Sequence, residues 1–198
     1  MSKFEFPPSI KSRPVYGTLA PRAGSAHLFI ADAHGAEAIL DIATPETMAK
    51  AHIIYIPKGE AFEDQLRALA PAQFYSGPSY GAAESRIIKA LEDAKMGLQV
   101  YLTGTEGLMG QAQNAAMRAG IPHTAIQTEH RGSIARRMQC VHCKGITDDV
   151  EIDPFVCSHC GLNLFVRDHY SRRLAAYQGV CIDAEDPGNV PASKGIYE

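Results

Sequence analysis

Two Cys-x-x-Cys pairs constrain the C-terminal third of this 198-residue chain more than any other feature. Cys140 pairs with Cys143 and Cys157 with Cys160, and thirteen residues separate the two pairs. A tight turn within each pair aims two thiolates at one point, and a tetrahedral divalent metal needs four such ligands at about 2.3 Å. The spacing therefore predicts one metal site with these four cysteines as ligands. Two disulfides or four free core cysteines are the alternatives.

Glycines follow both pairs, at Gly145 and Gly161, where such a turn usually needs a positive φ. His142 and His159 lie inside the pairs, and we expect both to stay outside the ligand set because four thiolates at matched spacing make a simpler site. A site of two cysteines and two histidines is the alternative.

Zinc and iron both accept four thiolates. Zinc would be structural and would contribute folding energy of order 10 kcal/mol, whereas iron would carry single electrons, as in rubredoxin-like modules. The chain resembles those modules in following Cys160 directly with Gly161. It departs from them in the extra Lys144 after the first pair and in Ser158, where a proline is usual. These departures favour zinc over iron.

Composition excludes several functional classes. A net charge of −3 and a pI near 6.2 argue against a nucleic-acid partner, which would favour a basic face. The sequence has no apolar run near the roughly 18 residues of a membrane span. Residues 1–8 lack the features of a secretory signal, and the odd fifth cysteine, Cys181, fits a reducing compartment. We therefore expect a cytoplasmic protein with no membrane partner.

The sequence divides into four predicted segments. Residues 1–26, rich in proline and glycine, form an irregular arm, and residues 27–130 alternate strand and helix patterns. Residues 131–180 carry the metal module and a following helix, and residues 181–198 form a C-terminal arm.

Short apolar runs separated by helical patterns predict an α/β fold for the second segment. Strands are expected at residues 27–31, 52–56, 73–75, 98–102 and 124–127. Helices are expected from residue 36 and at 62–69, 81–95 and 106–119. Strands buried on both faces and separated by helices indicate a doubly wound, mostly parallel five-stranded sheet. A small four-cysteine module of the zinc-ribbon or rubredoxin-like kind follows it.

Ligands of such sheets bind beyond the carboxyl ends of the strands. Two turns with polar residues lie there, at residues 32–35 and 103–107, and neither is a phosphate-binding loop. The run at residues 100–109, followed by 119–122 and 126–129, resembles the nicotinamide-binding module of ferredoxin–NADP reductase-like enzymes.

That resemblance implies a cofactor-binding turn and a nearby acid. The turn residues are Gly104, Thr105, Glu106 and Gly107, and Glu129 would approach the nicotinamide. The chain departs from the pattern, since Thr103 stands where the family has a reactive-site cysteine and Thr105 where it has a proline. These departures favour a module that keeps the fold and has lost or changed its ligand.

A second resemblance covers most of the chain. The α/β module, the two cysteine pairs, the run at residues 164–177 and the acidic residues at 183–185 are similar to the small subunit of bacterial dimethylamine monooxygenase. The resemblance implies an accessory subunit, for assembly or electron relay, without catalytic residues of its own. The complex would convert dimethylamine to methylamine and formaldehyde with O₂ and NADPH. Its partners would be a haem-binding oxygenase subunit and a flavin and iron–sulfur reductase subunit.

The polar run after the cysteines has two interpretations. It is either a solvated helix start capped by Asp168 or Ser171, or a docking surface, since adjacent arginines and aromatics make good interface anchors. The candidate partner-binding residues are Arg167, His169, Tyr170, Arg172 and Arg173. Arg131, Arg136 and Arg137 would extend the same basic face.

Two other functions stay open. One is a stand-alone nicotinamide-dependent reductase component, which would bind NADPH by itself. The other is a zinc-ribbon interaction protein unrelated to redox chemistry, which would not co-purify with a haem protein.

Overall fold

The computed structural model describes residues 13–196 of the chain. These residues divide into two compact units. The first comprises residues 16–133, and the second comprises residues 13–15 and 134–196. Residues 1–12 of the predicted N-terminal arm and residues 197–198 of the predicted C-terminal arm lie outside the described residues.

The first unit is built on a five-stranded parallel sheet, as predicted. Its strands are β1 (Ala26–Asp32), β2 (Ala51–Ile56), β3 (Gln73–Ser76), β4 (Leu98–Gly104) and β5 (Ile126–His130). They lie in the order β3-β2-β1-β4-β5, and every neighbouring pair is parallel. Consecutive residues of β1, from Leu28 to Ala31, are all buried. Such a continuous apolar run is typical of a strand covered on both faces.

Helices cover both faces of this sheet. They are α1 (Gly35–Ile42), α2 (Pro45–Met48), α3 (Glu63–Ala68), α4 (Tyr80–Glu92) and α5 (Glu106–Arg118). Residues of α4 and α5 share one core with Ile30 and Leu102, whereas residues of α1 and α3 share another with Phe29 and Tyr101. Because neighbouring strand residues point to opposite faces, the two cores lie on opposite sides of the sheet. The doubly wound arrangement is confirmed.

The one-turn helix α2 was not predicted. Thr44 caps it by accepting a hydrogen bond from the Thr47 N–H at 3.2 Å, and Pro45 occupies its first position.

Among residues 13–196, no helix is both long enough and apolar enough to span a membrane.

A buried carboxylate joins the carboxyl ends of β1 and β4. Asp32 accepts hydrogen bonds from the Thr105 N–H at 2.7 Å and the Thr105 hydroxyl at 2.6 Å. Lys58 Nζ lies 3.4 Å from the same carboxylate. Gly104 has a φ of +120°, and a Cβ there would overlap the Asp32 carboxylate. A buried carboxylate needs hydrogen-bond donors of this kind, and the absence of a side chain at Gly104 leaves room for Asp32 to reach them. We term the contacts among Asp32, Gly104 and Thr105 the clamp.

Residues 16–26 of the predicted N-terminal arm are anchored within the first unit. Gly17 donates its N–H to the Thr128 carbonyl at 2.9 Å, and Leu19 donates its N–H to the Glu129 carboxylate at 2.6 Å. Leu19 is only 3% exposed. This irregular segment therefore runs alongside β5 and buries the side chain of Leu19.

The second unit is a β-structure. Its strands are β6 (Arg136–Cys140), β7 (Ile146–Val150), β8 (Ile152–Asp153), β9 (Phe155–Val156), β10 (Asn163–Ser171), β11 (Ala176–Cys181) and β12 (Lys194–Gly195). Five of them form a sheet in the order β7-β6-β11-β10-β9, and β12 pairs with β8. The pair β6–β11 is parallel, and the other neighbours are antiparallel.

The helix predicted to begin at Asp168 or Ser171 is wrong. Both residues lie in β10, which forms an antiparallel hairpin with β11 through a turn at residues 172–175. Tyr170 and Tyr177 pack edge to face across this hairpin, with ring centroids 4.9 Å apart. Cross-strand aromatic pairs of this kind stabilise a sheet and outweigh the polar residues that suggested a helix start.

A partly buried ion pair lies at the irregular part of β10. The pairing register with β11 shifts around Asp168, whose carboxylate accepts a hydrogen bond from Arg136 at 2.8 Å and also pairs with Arg13. Arg136 is 1% exposed and lies 4.3 Å from the ring centroid of Tyr177. Burial would raise the pKa of Asp168, but the two arginines hold that pKa below its ordinary value. The register shift therefore coincides with the residue that pairs with both arginines.

The predicted extension of a basic face is wrong for Arg136 and stays a prediction for Arg131 and Arg137. Arg136 is buried, so it cannot belong to a docking surface. Arg131 donates to Glu129 at 2.7 Å, and Arg137 donates to Asp148 at 2.7 Å. Each of the three arginines is thus matched by a carboxylate of its own unit.

We expect Gly104→Ala to destabilise the first unit more than Gly120→Ala. Both glycines have a positive φ, which costs an alanine about 1–2 kcal/mol. At Gly120 an added Cβ meets nothing within 4 Å, whereas at Gly104 it meets Asp32. Displacing Asp32 should add roughly 1–3 kcal/mol. Urea unfolding of both full-length variants measures the difference, and equal losses of unfolding free energy would contradict the clamp.

Candidate metal centre

The two Cys-x-x-Cys turns share one backbone pattern. In each turn, the N–H that follows the second cysteine donates to the carbonyl of the first cysteine at 3.0 Å. The N–H of the first cysteine donates to the carbonyl five residues later, at 3.0 Å in the first turn and 2.9 Å in the second. The residue after the second cysteine is left-handed in both, with a φ of +64° at Lys144 and +73° at Gly161. The turns are therefore equal in length.

The prediction of a positive φ is confirmed for Gly161 and wrong for Gly145. Lys144 takes the left-handed position in the first turn, so the residue that seemed extra does not lengthen it. Gly145 is needed for a different reason, since a Cβ there would lie 2.5 Å from the ring of His159.

The four sulfurs form one tight cluster. All four Sγ atoms lie within 4.8 Å of one another. Cys140 Sγ is 3.8 Å from Cys160 Sγ, and Cys143 Sγ is 3.7 Å from Cys157 Sγ. An S–S bond is about 2.05 Å long, so the cysteines are free thiols and form no disulfide. Ligands at about 2.3 Å on the corners of a tetrahedron lie about 3.8 Å apart, so these distances fit one ion.

One cysteine of each pair is buried and the other is exposed. Cys140 and Cys157 belong to the small core of the second unit, which they share with Met138, Leu164 and Tyr177. Cys143 and Cys160 lie at the surface. A bound ion would therefore be held between this core and the surface.

The electrostatics of the cluster favour a cation. Burial raises the pKa of Cys157, but the backbone N–H groups of Cys160 and His159 outweigh it and lower that pKa to about 6. The backbone N–H of Leu162 lowers the pKa of Cys160, yet burial and the neighbouring sulfurs outweigh it and raise that pKa. One thiolate thus forms readily and opposes the ionisation of the next, so full ionisation needs a positive ion among them.

Four thiolates suit zinc and mononuclear iron alike in geometry. Neither His142 nor His159 belongs to the cluster. His142 is exposed, and His159 Nε2 lies 2.7 Å from the Ile146 carbonyl oxygen. Both histidines therefore stay outside the ligand set, as predicted, and the four cysteines would hold the ion.

In the turn predicted to bind a cofactor, polar groups of Thr105 form hydrogen bonds within the chain. Thr105 donates its N–H and its hydroxyl to Asp32, and Gly104 packs against the same carboxylate. Glu106 begins α5 and is buried, and Gly107 follows it in the first turn of that helix. The cofactor-binding role of these four turn residues stays a prediction.

Glu129 is similarly engaged. Its two carboxylate oxygens accept hydrogen bonds from the Leu19 N–H at 2.6 Å and from Arg131 Nε at 2.7 Å. The residue is 3% exposed. The acid that the reductase resemblance places beside a nicotinamide thus anchors the N-terminal segment in this chain.

The predicted docking residues lie on the β10–β11 hairpin. Arg167 and His169 are exposed in β10, and Arg172 and Arg173 are exposed in the turn. Tyr170 is half-buried in the aromatic pair described above. The structure therefore brings four of these side chains to the surface of one hairpin.

The hairpin turn lies along the same sheet as the buried cysteine Cys140. Cys140 of β6 is in register with Gly179 of β11, and the turn ends at Ala175, four residues before Gly179. Four residues of strand span about 13 Å. The arginine pair of the turn therefore lies beyond the strand residues that separate it from Cys140.

The buried role of Arg136 was missed, although strand alternation could have revealed it. Arg136, Met138 and Cys140 alternate along β6 and are all buried. Because i and i+2 residues share one face of a strand, Arg136 had to face the same core as the cysteine. Its polar character alone suggested the surface.

Comparison with a known protein reveals one partial relative. The chain is 34% identical over 110 residues to the heme-dependent oxidative N-demethylase delta subunit of Ectopseudomonas mendocina (strain ymp). The aligned part covers 56% of this chain and 63% of that protein, so the chain spans less than two thirds of the relative's length. No solved structure matches the chain significantly.

Two family domains match the chain in sequence order. The N-terminal domain described as "Dimethylamine monooxygenase subunit DmmA-like" matches residues 8–126, and its C-terminal domain matches residues 137–180. The first match covers the parallel sheet up to the start of β5, and the second contains all four clustered cysteines. Since the first match alone covers more than half of the sequence, the chain belongs to the DmmA-like family of dimethylamine monooxygenase subunits.

Proposed function

We propose that this protein is an accessory subunit of a multicomponent oxygenase that removes a methyl group from dimethylamine, giving methylamine and formaldehyde with O₂ and NADPH. Family membership carries the proposal, because the family is described by that enzyme and by the word subunit. The relative's name, which describes a delta subunit of an oxidative N-demethylase, supports it further.

The redox cofactors of such a complex would belong to other subunits. The relative's enzyme is named as heme-dependent, and a partner would supply that haem here because the clustered thiolates of this chain suit one small ion. A flavin and iron–sulfur subunit would deliver electrons from NADPH. We place the complex in the cytoplasm, where five free cysteines would stay reduced.

The ion of this subunit would be a structural zinc. The second unit has a small core, and Zn²⁺ would bridge its two turns with folding energy of order 10 kcal/mol. Zinc has no redox chemistry and would hold the two turns together as a structural ion. Ser158, at a position where rubredoxin-like modules usually have a proline, also favours zinc over iron.

The docking surface would be the β10–β11 hairpin. Within residues 13–196, neither Arg167 nor Arg172 forms an ion pair with a carboxylate. Together with Arg173 they place positive charge on one hairpin of a chain whose net charge is −3, and His169 adds an exposed polar side chain beside them. Such a patch fits an acidic surface on a partner subunit, because charge complementarity fixes orientation and speeds encounter.

We expect the purified full-length chain to contain one zinc ion and to be colourless. Cys140→Ser and Cys157→Ser should release the ion and unfold the second unit, because each removes one of four ligands and a buried core residue. Cys181→Ser is the matched control, since Cys181 lies outside the cluster. Elemental analysis by mass spectrometry with a visible spectrum measures the outcome.

Iron bands in that spectrum would contradict zinc and keep the metal site. A folded, metal-free chain would contradict the site itself.

We expect Arg172→Ala combined with Arg173→Ala to weaken assembly with the haem-binding and reductase subunits by roughly thirtyfold, since interface arginines often contribute about 1 kcal/mol each. Formaldehyde production from dimethylamine by the reconstituted complex should fall with assembly. Titration of the partner subunits, at low and high salt, measures the loss.

A matched control removes the same charge from the first unit. Lys95→Ala combined with Arg118→Ala should assemble normally, because both side chains are exposed on the first unit and do not belong to the hairpin. If the hairpin variant assembles like this control, the docking surface is wrong. If the complex makes formaldehyde equally well without the chain, the accessory function is wrong.

A further inference from the structure

The two metal turns carry the same histidine, but its contacts differ. His142 and His159 each occupy the third position of a Cys-x-His-Cys turn. His159 Nε2 lies 2.7 Å from the Ile146 carbonyl oxygen, which can only accept, so this ring nitrogen carries the proton. Ile146 begins β7, the strand that follows the first turn. Within the described residues, His142 is exposed and makes no such contact.

A second contact lies beside the first. Thr147 Oγ1 is 3.0 Å from Ser158 Oγ and accepts a hydrogen bond from the Ser158 N–H at 3.2 Å. Ser158 and His159 belong to the second turn, whereas Ile146 and Thr147 belong to the strand after the first. These four residues, here termed the clasp, join the two halves of the site without using a sulfur.

The clasp exists on one side of the site because the repeated turns differ there. Asn163 and Leu164 occupy the positions after the second turn that Ile146 and Thr147 occupy after the first. Leu164 is buried and has no hydroxyl to offer. The shared backbone pattern of the two turns is therefore not sufficient to produce these contacts.

Gly145, the residue before Ile146 of the clasp, provides the space that the His159 ring occupies. A Cβ on Gly145 would lie 2.5 Å from Cδ2 and Cγ of the His159 ring. Only a glycine lets the ring approach closely enough to reach the carbonyl of Ile146. The equivalent position after the second turn is Leu162, so only the first turn offers this space for a histidine ring.

We propose that the clasp preorganises the metal site and sets how slowly the ion leaves. This inference rests on the metal centre proposed above. An ion bound by four thiolates leaves in steps, as one sulfur after another detaches. With the two pairs joined by the clasp, a detached sulfur stays near the ion and rebinds before the next one detaches. Thr147, Ser158 and His159 are positioning residues, because none of them belongs to the ligand set.

The test is the rate of zinc transfer from the full-length, zinc-loaded chain to an excess of a chromophoric chelator. Thr147→Val removes the hydroxyl that both Ser158 contacts use, and His159→Phe removes the proton donor while keeping an aromatic ring. Each should speed zinc release roughly fivefold, the effect of losing about one net hydrogen bond.

Matched variants separate the clasp from general damage. His142→Phe changes the same position of the other turn and should release zinc at the wild-type rate. Thr147→Ser keeps the hydroxyl, and His159→Gln keeps a terminal N–H donor, so both should restore slow release. Zinc content and circular dichroism before mixing verify that each variant starts folded and loaded.

The outcomes distinguish the two proposals. A wild-type chain without metal would overturn the metal centre and the clasp together. A zinc-loaded wild type whose Thr147→Val and His159→Phe variants release zinc at the wild-type rate would overturn the clasp alone. Equal acceleration by His142→Phe, or no restoration by Thr147→Ser, would also overturn it.

Discussion

The crowding of four cysteine sulfurs within 4.8 Å of one another is the constraint on which the proposed metal site of the second unit depends. Residues 134–196 contain no helix, and their core is small. The two turns bring four ionisable sulfurs together at the edge of that core. This crowding opposes full ionisation, and a bound cation would relieve it and link the two turns. The backbone hydrogen bonds of the turns and the contacts of the clasp hold the four sulfurs together.

The first unit shows a different use of polar groups. In doubly wound sheets the carboxyl ends of the strands usually bind ligands. Here Asp32 bonds to Thr105, and Glu129 bonds to Leu19 and Arg131. These groups hold strand ends and the N-terminal segment in place. In this chain these strand-end groups therefore make contacts within the first unit.

Local patterns predicted most of the architecture, and long-range pairs account for the errors. Buried runs such as β1 are visible in any window of sequence, and so is the cysteine spacing. The bulge in β10 depends on Asp168 meeting Arg136, 32 residues away, and the anchoring of Leu19 depends on Glu129, 110 residues away. Nothing near Asp168 indicates that partner. The left-handed Lys144 is a second kind of error, because lysine rarely takes that conformation and the turn imposes it.

The most direct test of this account is X-ray absorption at the metal edge of the chain, purified under anaerobic conditions. The account predicts a first coordination shell of four sulfur atoms at about 2.3 Å, with no nitrogen or oxygen neighbour. A shell that includes imidazole nitrogen, or a folded chain that carries no metal, would contradict it.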